Sequence, residues 1–382
     1  MRAQDNKKRK PSLLSKMILA ANAFVIFGLA FGFLAAYIPP DRYWIFAFAG
    51  LAFPYLALLN VVFIFFWMAV WKKYFTISLI ALLISWNQLA GFIQFNAIEN
   101  PEEPVKSINV VSYNVRIFDR YNWKSKGISA SAEEILKLTD KLKPDLLCIQ
   151  EFHAGRKGKV DMGDSVSKYS GLKYKHIEYA SYKGKTKAFG IATFSRWPII
   201  SSKIIHFDKN PVNFCIYNDI VCYGDTVRVF NIHLESIRLS QEDYLYVSEL
   251  SNQAENNDLF SANSRKILSK FKHAFVARAP QSRVVAAQIG KSPYPVIVCG
   301  DFNDTPSSYT YRQMSHGLID SFKESGRGFG QTYAGIFPSF RIDYILHDPA
   351  LTATGFKRIR VPLSDHFPVT TRISLPEKAV AE

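Results

Sequence analysis

Cysteine is scarce in this chain: four among 382 residues, and they do not group. Cys148, Cys215, Cys222 and Cys299 match no zinc-ligand spacing, and no cluster of Cys and His takes their place, which removes a structural zinc framework. Cys148 and Cys299 lie inside apolar, strand-like runs, where a buried thiol is the expected state. Cys215 and Cys222 flank one strand-like segment and would project to opposite faces, so no disulfide is expected. Internal repeats and low-complexity tracts are also absent, which excludes repeat and fibrous architectures.

A third scarcity is local. Met1 to Asn96 holds nine Lys+Arg and only two Asp+Glu. Within it Met17–Ile38, Trp44–Trp71 and Tyr74–Phe95 are nearly uncharged and show no polar face. Each is longer than the ~20 residues a helix needs to cross the hydrocarbon of a bilayer. The reading is therefore a membrane region over 1–96 with three transmembrane helices, about 17–38, 44–71 and 74–95. A cleaved signal peptide is the rival account of the first run. Arg2, Lys7, Lys8, Arg9, Lys10 and Lys16 precede that run, Arg42 alone lies in the first connection, and Lys72 and Lys73 form the second. By the bias of basic residues toward the cytoplasm, the rest of the chain falls on the outer, periplasmic side of a cell (inner) membrane. Asn60, Asn87 and Gln88 are the main polar residues inside the spans and suit bonds between helices.

A polar, Pro-punctuated linker over 97–104 follows, and a second unit over 105–382. Beyond Asn96 there remain 38 basic and 30 acidic residues, a positive balance that suits a phosphate-bearing partner and equally suits plain solubility. Strand-like runs appear at Ile108–Tyr113, Asp145–Gln150, Ala188–Ser195, Ile199–Phe207, Asn213–Cys222, Thr226–His233, Val296–Cys299, Arg341–Leu346 and Val369–Ile373. Ser131 and Glu134 form a capping box predicting a helix to about Leu142, stopped by Pro144. Residues 240–288 read as mostly helical, with an Asn- and Ser-rich loop over Asn252–Asn263. Strands and helices without strict alternation favour two packed sheets flanked by helices.

Polar residues stand at the ends of these runs. Asn114 ends the first, Gln150-Glu151 the second, and His233 the Val229–Ile232 strand, followed by Leu234-Glu235-Ser236. Gly300-Asp301-Phe302-Asn303 ends Val296–Cys299, Asp343 lies in Arg341–Leu346, and Ser364-Asp365-His366 leads into Phe367. A sheet edge holds side chains rigidly at a mouth, as a reacting site requires. Carboxylates and carboxamides are hard oxygen donors that suit Mg²⁺ or Mn²⁺. Two histidines supply groups that work near neutral pH. Taken singly, each such residue is more simply a turn, cap or structural residue.

In this order the motifs resemble the endonuclease/exonuclease/phosphatase superfamily, over about Val105 to Leu375, with some likeness to tyrosyl-DNA phosphodiesterase 2 in His233-Leu234-Glu235-Ser236. The resemblance implies an α/β fold, a four-layer α/β/β/α sandwich of the DNase I-like kind, preceded here by the three spans. It implies Glu151 as main metal ligand, Asn114 close to the metal or phosphate, and Asp365 as a second carboxylate on the metal side. Asp301 and Asn303 would orient the attacking water and the phosphoryl oxygens. His366, oriented by Asp343, would be the acid/base, and His233 would donate to a non-bridging oxygen. Members differ over whether the Asp or the His–Asp pair activates the water, and over one metal or two. The cofactor implied is Mg²⁺ or Mn²⁺, with no organic cofactor.

The substrate stays open between three classes. Nucleic acid outside the cell would draw on the positive balance, with strong salt dependence. Phospholipid headgroups or small phosphate esters would draw on the tether. A non-catalytic binding module is the third, opposed by the intact set of acidic and His residues. Lys183, Lys185 and Lys187 are candidate phosphate contacts or a solvated loop. Oligomeric state is not readable.

Overall fold

The computed structural model describes residues 12–70, 72–96, 106–119, 128–154, 161–182, 185–207, 210–252, 262–335 and 340–376. The N-terminal basic segment, except Lys16, lies outside these residues, as do the 97–104 linker, Lys183 and most of the Asn252–Asn263 loop; for Lys185 and Lys187 only the backbone is described.

Two helices are long and apolar enough to cross a membrane, α1 (Leu13–Leu34) and α3 (Ile45–Ala69), joined through the short α2 (Pro40–Tyr43). Only 17% and 22% of their most apolar windows is buried, which separates them from the core helices of a soluble domain. The third apolar run departs from the expected single span. It forms α4 (Phe75–Ile84), the one-turn α5 (Trp86–Leu89) and a strand, β1 (Ile93–Phe95). The helix breaks at Ser85, whose hydroxyl bonds back to the Ala81 carbonyl and whose ψ leaves the helical range. The chain then turns at Gly91, where a Cβ would lie 2.4 Å from Pro306. Asn22 ties the helices together, donating to Ser78 Oγ on α4 at 2.8 Å and accepting from Trp67 Nε1 on α3 at 2.8 Å.

The remainder is built on two six-stranded sheets. The first holds β13 (Thr352–Arg358), β14 (Val369–Ser374), β2 (Ser107–Asn114), β3 (Leu146–His153), β5 (Lys185–Ser195) and β4 (Tyr174–Tyr182), in that spatial order. The second holds β10 (Ile319–Asp320), β12 (Asp343–His347), β9 (Val296–Asp301), β8 (Asp225–His233), β7 (Asn210–Cys222) and β6 (Ile199–Phe207). Period-2 alternation assigns the faces. Val110, Cys148, Val229, Cys299, Ile345 and Ile373 point between the sheets and form the central core. Their neighbours Val111, Leu147 and Phe194 point outward, onto α6 (Ile128–Leu142) and α7 (Met162–Ser170). After α8 (Gln241–Asn252) come α9 (Ala262–Ile289) and α10 (Tyr309–Met314), onto which Phe230, Val298 and Tyr344 point outward from the other sheet. The result is the four-layer sandwich. Cys215 and Cys222 fall in different cores, as their spacing requires.

Three differences from the sequence reading have local causes. Ser131 is buried inside α6, which starts three residues earlier at Ile128, so the capping box does not open that helix. Strands β4 and β13 went unread because they lack a continuous apolar run: β4 interleaves Lys175, His176 and Glu178, and β13 is interrupted by Gly355 and a register shift between Thr354 and Lys357. The boundary at 96 is also blurred: β1 pairs antiparallel with β11 (Arg327–Phe329), so the last residues of the helical region are part of the sandwich's surface.

Candidate active site

Parallel pairing of β8 with β9 sets His233 opposite Asp301, and antiparallel pairing of β9 with β12 sets Asp301 opposite Asp343. Three functional side chains thus share one level of one sheet. The β8–β9 approach is so close that a Cβ on Gly300, at φ +146°, would lie 2.1 Å from the Ile232 carbonyl oxygen. Glycine before Asp301 is therefore a steric requirement.

The other sheet supplies Asn114 at the end of β2 and Glu151 within β3. Gln150 and Glu151 form a bulge opposite β5, and Glu151 adopts the left-handed conformation at φ 51°. A bulge re-aims a side chain, here into the mouth between the sheets. Gln150 instead turns inward and donates to Asn231 Oδ1 at 2.8 Å, while Asn231 donates to the Ala192 carbonyl at 2.8 Å. This buried amide pair stitches the two sheets directly beneath the site.

The groups converge. Asn114 Nδ2 donates to Asp301 Oδ2 at 3.0 Å. The other Asp301 oxygen accepts the Asn303 backbone N–H at 2.8 Å. Asn303, left-handed at φ 54°, also donates its side-chain amide to the Leu234 carbonyl at 3.1 Å and to Asp301 at 3.2 Å. His366 Nδ1 lies 3.0 Å from Asp343 Oδ2, and its Nε2 lies 3.8 Å from Asp301 Oδ2. His233 Nε2 sits 3.8 Å from Glu151 and 3.9 Å from Asp301. Ser364 fixes the Ser-Asp-His loop, donating to the Asn114 carbonyl at 2.8 Å and accepting from His366 N at 3.2 Å. Asp365 is 3.5 Å from the Arg116 guanidinium. The structure therefore brings Asn114, Glu151, His233, Asp301, Asn303, Asp343, Asp365 and His366 to one place.

Crowding moves their proton affinities. Burial, opposed by His366, pushes the Asp301 carboxyl up to about 6. Burial also raises Glu151, helped by the nearby Asp365 carboxylate. His366 is raised as well, for a different reason. Burial disfavours its charge, but Asp343 and Asp301 together overcome that and hold it protonated well above the usual range. His233 is lowered by burial and stays neutral.

A divalent cation fits this set. The donors around Glu151 are oxygens and carboxamides, the chemistry Mg²⁺ and Mn²⁺ prefer. Ligand atoms of Asp301, Asp343 and His366 also lie within 4.8 Å of one another. His233 Nε2 is buried, makes no hydrogen bond and faces two carboxylates, so a polar ligand is owed to that space.

Some functional residues escaped the sequence reading. Arg278 is fully buried on α9, donating to Asp304 at 3.1 Å and to the Glu235 carbonyl at 2.9 Å. It pins both loops that leave the site. Its signal was an arginine on the apolar stripe of Ala274, Phe275, Ala279 and Val285. Glu235, by contrast, stands in the His233-Leu234-Glu235-Ser236 motif quoted from the sequence, and it is buried and paired with Arg238 at 3.0 Å. Thr332 Oγ1 accepts the Asp343 N–H at 3.0 Å, and the Tyr333 ring stands edge-on to His366 with its centroid at 5.3 Å. Beside Asp365 opens a cleft of about 520 Å³, lined among others by Arg116, Arg360, Leu363 and Phe367.

Comparison with known proteins places this geometry. The family model described as the endonuclease/exonuclease/phosphatase family matches residues 111–366. A domain of unknown function (DUF8431) matches residues 15–92. No curated protein matches the chain. The endonuclease/exonuclease/phosphatase of Beutenbergia cavernae superposes with a TM-score of 0.51 at 16% identity, covering 72% of this chain and 73% of that one. A family protein of Bacteroides thetaiotaomicron gives 0.51 at 17% identity, covering 72% and 98%. Humanized TDP2 of D. rerio gives 0.49 at 16% identity, covering 70% and 99%. The match to the family model spans most of the chain and both sheets of the sandwich, and the chain belongs to the endonuclease/exonuclease/phosphatase family.

Proposed function

We propose that the protein is a divalent-metal-dependent phosphoester hydrolase, anchored in a membrane by α1 and α3 with the sandwich on the outer side. One observation carries the catalytic reading: Asp301 and His366, 3.8 Å apart, both hold their protons more tightly than usual, so that at neutral pH the carboxyl, at about 6, is largely ionised while the imidazole keeps its proton. A carboxylate near 6 is a competent base at neutral pH, and a protonated imidazole beside it is a competent acid.

Glu151 and Asn114 would hold Mg²⁺ or Mn²⁺, with Asp365 on the same side. The cation would supply charge neutralisation to an anionic phosphoester. Asp301, kept in place by Asn114 and Asn303, takes a proton from the attacking water. His366, oriented through Nδ1 by Asp343, gives a proton from Nε2. His233, with Nε2 unpartnered, donates to a phosphoryl oxygen as charge builds on it. Arg278 and Ser364 act at one remove, by holding the loops.

The test is Mg²⁺-dependent hydrolysis of p-nitrophenyl phosphate and bis-p-nitrophenyl phosphate by the full-length protein in detergent. The expected result is turnover that EDTA abolishes and that Asp301→Asn removes without loss of fold. Wild-type turnover retained in Asp301→Asn contradicts the assignment.

A further inference from the structure

The helical region does not hang from the sandwich; it is built into the active-site end of it. Ser307, six residues past Asp301, donates to the Gly50 carbonyl on α3 at 2.7 Å. Arg341, two residues before Asp343, donates to the Gly91 carbonyl at 3.1 Å. Phe340 meets Tyr55 edge-on with centroids 6.4 Å apart, and Arg312 lies 4.1 Å over the Tyr37 ring.

These contacts fix the depth of the sandwich. The far end of the helices is marked by Lys16 and by Lys72-Lys73. A span of about 20 residues from those lysines reaches Ala36-Tyr37, in the turn just past α1, and Leu51 to Phe53 on α3. Those are the levels at which the sandwich already touches the helices, through Tyr37 and through the packing of Phe48 and Leu51 with Phe271 and Phe275. Tyr37, Tyr43, Trp44, Tyr55 and Trp86, all exposed, cluster at this end, as aromatic residues do at a bilayer interface. Helix α4 rises only about 15 Å. The chain completes the crossing as irregular backbone, and its polar groups are met by protein: the Gly91 carbonyl by Arg341 and the Phe92 carbonyl by Gly330 N at 2.9 Å.

That path delivers β1 to the interface, paired with β11. In this ribbon Ile93 pairs with Phe329 and Phe95 with Arg327, so Ile93, Phe95, Phe329 and the exposed cationic Arg327 share one face, two aromatic rings beside a charge suited to lipid phosphate. Phe95 and Phe329 are 74% and 70% exposed, two of the most exposed large apolar residues outside the helices. Beyond β11 the chain runs on through Thr332 and Tyr333, which support Asp343 and face His366, to Ala334 and Gly335, which line the cleft beside Asp365. That cleft joins the guanidinium groups of Arg116 and Arg360 to an apolar wall of Val361, Pro362 and Leu363.

We propose that the β1–β11 ribbon seats Phe95 and Phe329 in the bilayer surface, and that the substrate is an amphiphilic phosphoester presented by that same bilayer. The occupant of this face is lipid, by continuity with the apolar helices from which α4 and α5 lead into β1. The substrate claim rests on the hydrolase and membrane readings above. The ribbon, the His366 wall and the cleft form one continuous segment, so a headgroup reaches the site without leaving the membrane.

The four cysteines are all buried, so Phe329→Cys gives a single surface thiol for an environment-sensitive dye. In full-length protein reconstituted into phosphatidylcholine vesicles, that dye should emit to the blue and be quenched by acyl-brominated lipid, unlike the same dye at exposed Lys357→Cys. Equal behaviour at the two positions overturns the seating. In parallel, p-nitrophenyl phosphate and vesicles carrying phosphatidic acid or phosphatidylglycerol serve as substrates. A Phe95→Asp/Phe329→Asp variant should lose vesicle turnover at least tenfold and keep turnover of the soluble ester. Hydrolysis of the soluble ester or of single-stranded DNA, with both vesicle lipids untouched, overturns the substrate claim and leaves the hydrolase reading intact. No turnover of any substrate removes that reading and the substrate claim together.

Discussion

The Asn22 cluster between the helices and the acidic cluster of the sandwich both bury polar groups, with opposite results. In the helices Asn22 is buried with its amide paired to Ser78 and Trp67, all neutral, at good distances. In the sandwich Arg341 and Asp320 are buried as an ion pair, and Asp301, Asp343 and His366 are buried within a few ångströms of each other. The first arrangement relaxes into a closed set of hydrogen bonds and acts as glue between helices. The second holds like charges together, leaves His233 Nε2 without a partner and keeps Glu151 and Asn303 at positive φ. Unrelieved strain of this sort gathers where chemistry is done.

Substitutions can break or sharpen that contrast. The largest effect belongs to His366. His366→Ala should lower turnover of the soluble ester by about 10²–10⁴-fold with the fold retained. Asp343→Asn should be milder and diagnostic. Asp343 holds the His366 proton at higher pH, so without it the alkaline fall in rate moves to lower pH. An alkaline limb that stays in place would show that His366 is not the acid.

Arg341 comes next. It is 1% exposed, pairs with an equally buried Asp320 and reaches the Gly91 carbonyl. Arg341→Ala leaves a buried carboxylate unpaired, with an expected loss of about 3–5 kcal/mol in denaturant unfolding. Asn22→Leu should cost the least, roughly 0.6–2 kcal/mol, and leave soluble-ester turnover unchanged. A catalytic defect in Asn22→Leu would mean that the helices do more than hold and seat the sandwich.

The sequence exposed all the inner strands and one edge, β6, and hid the edges β4 and β13, for a physical reason. Strands β2, β3, β8 and β9 are buried on both faces and end in the polar residues that form the site, so apolar runs with polar ends were visible. Edge strands β4 and β13 lack that pattern: polar residues interleave β4, and Gly355 interrupts β13. The third apolar run looked like its two predecessors, because composition does not record that Ser85 and Gly91 turn the chain or that Arg341 caps a broken segment. The residues supporting the site, Arg278, Thr332 and Ser364, gain their roles only through partners distant in the chain. Gln88 donates to the Phe33 carbonyl at 2.9 Å, a bond between helical segments as its polarity suggested, whereas Asn87 binds Lys323 of the sandwich.

Everything proposed for the site turns on Glu151 and its neighbours holding a divalent cation. Calorimetric titration of Mn²⁺ into the full-length, EDTA-stripped protein and into Glu151→Gln tests it most directly. Saturable binding in the wild type, weakened by about tenfold or more in the variant, is the predicted result. Equal binding by both proteins, or none by either, would contradict it.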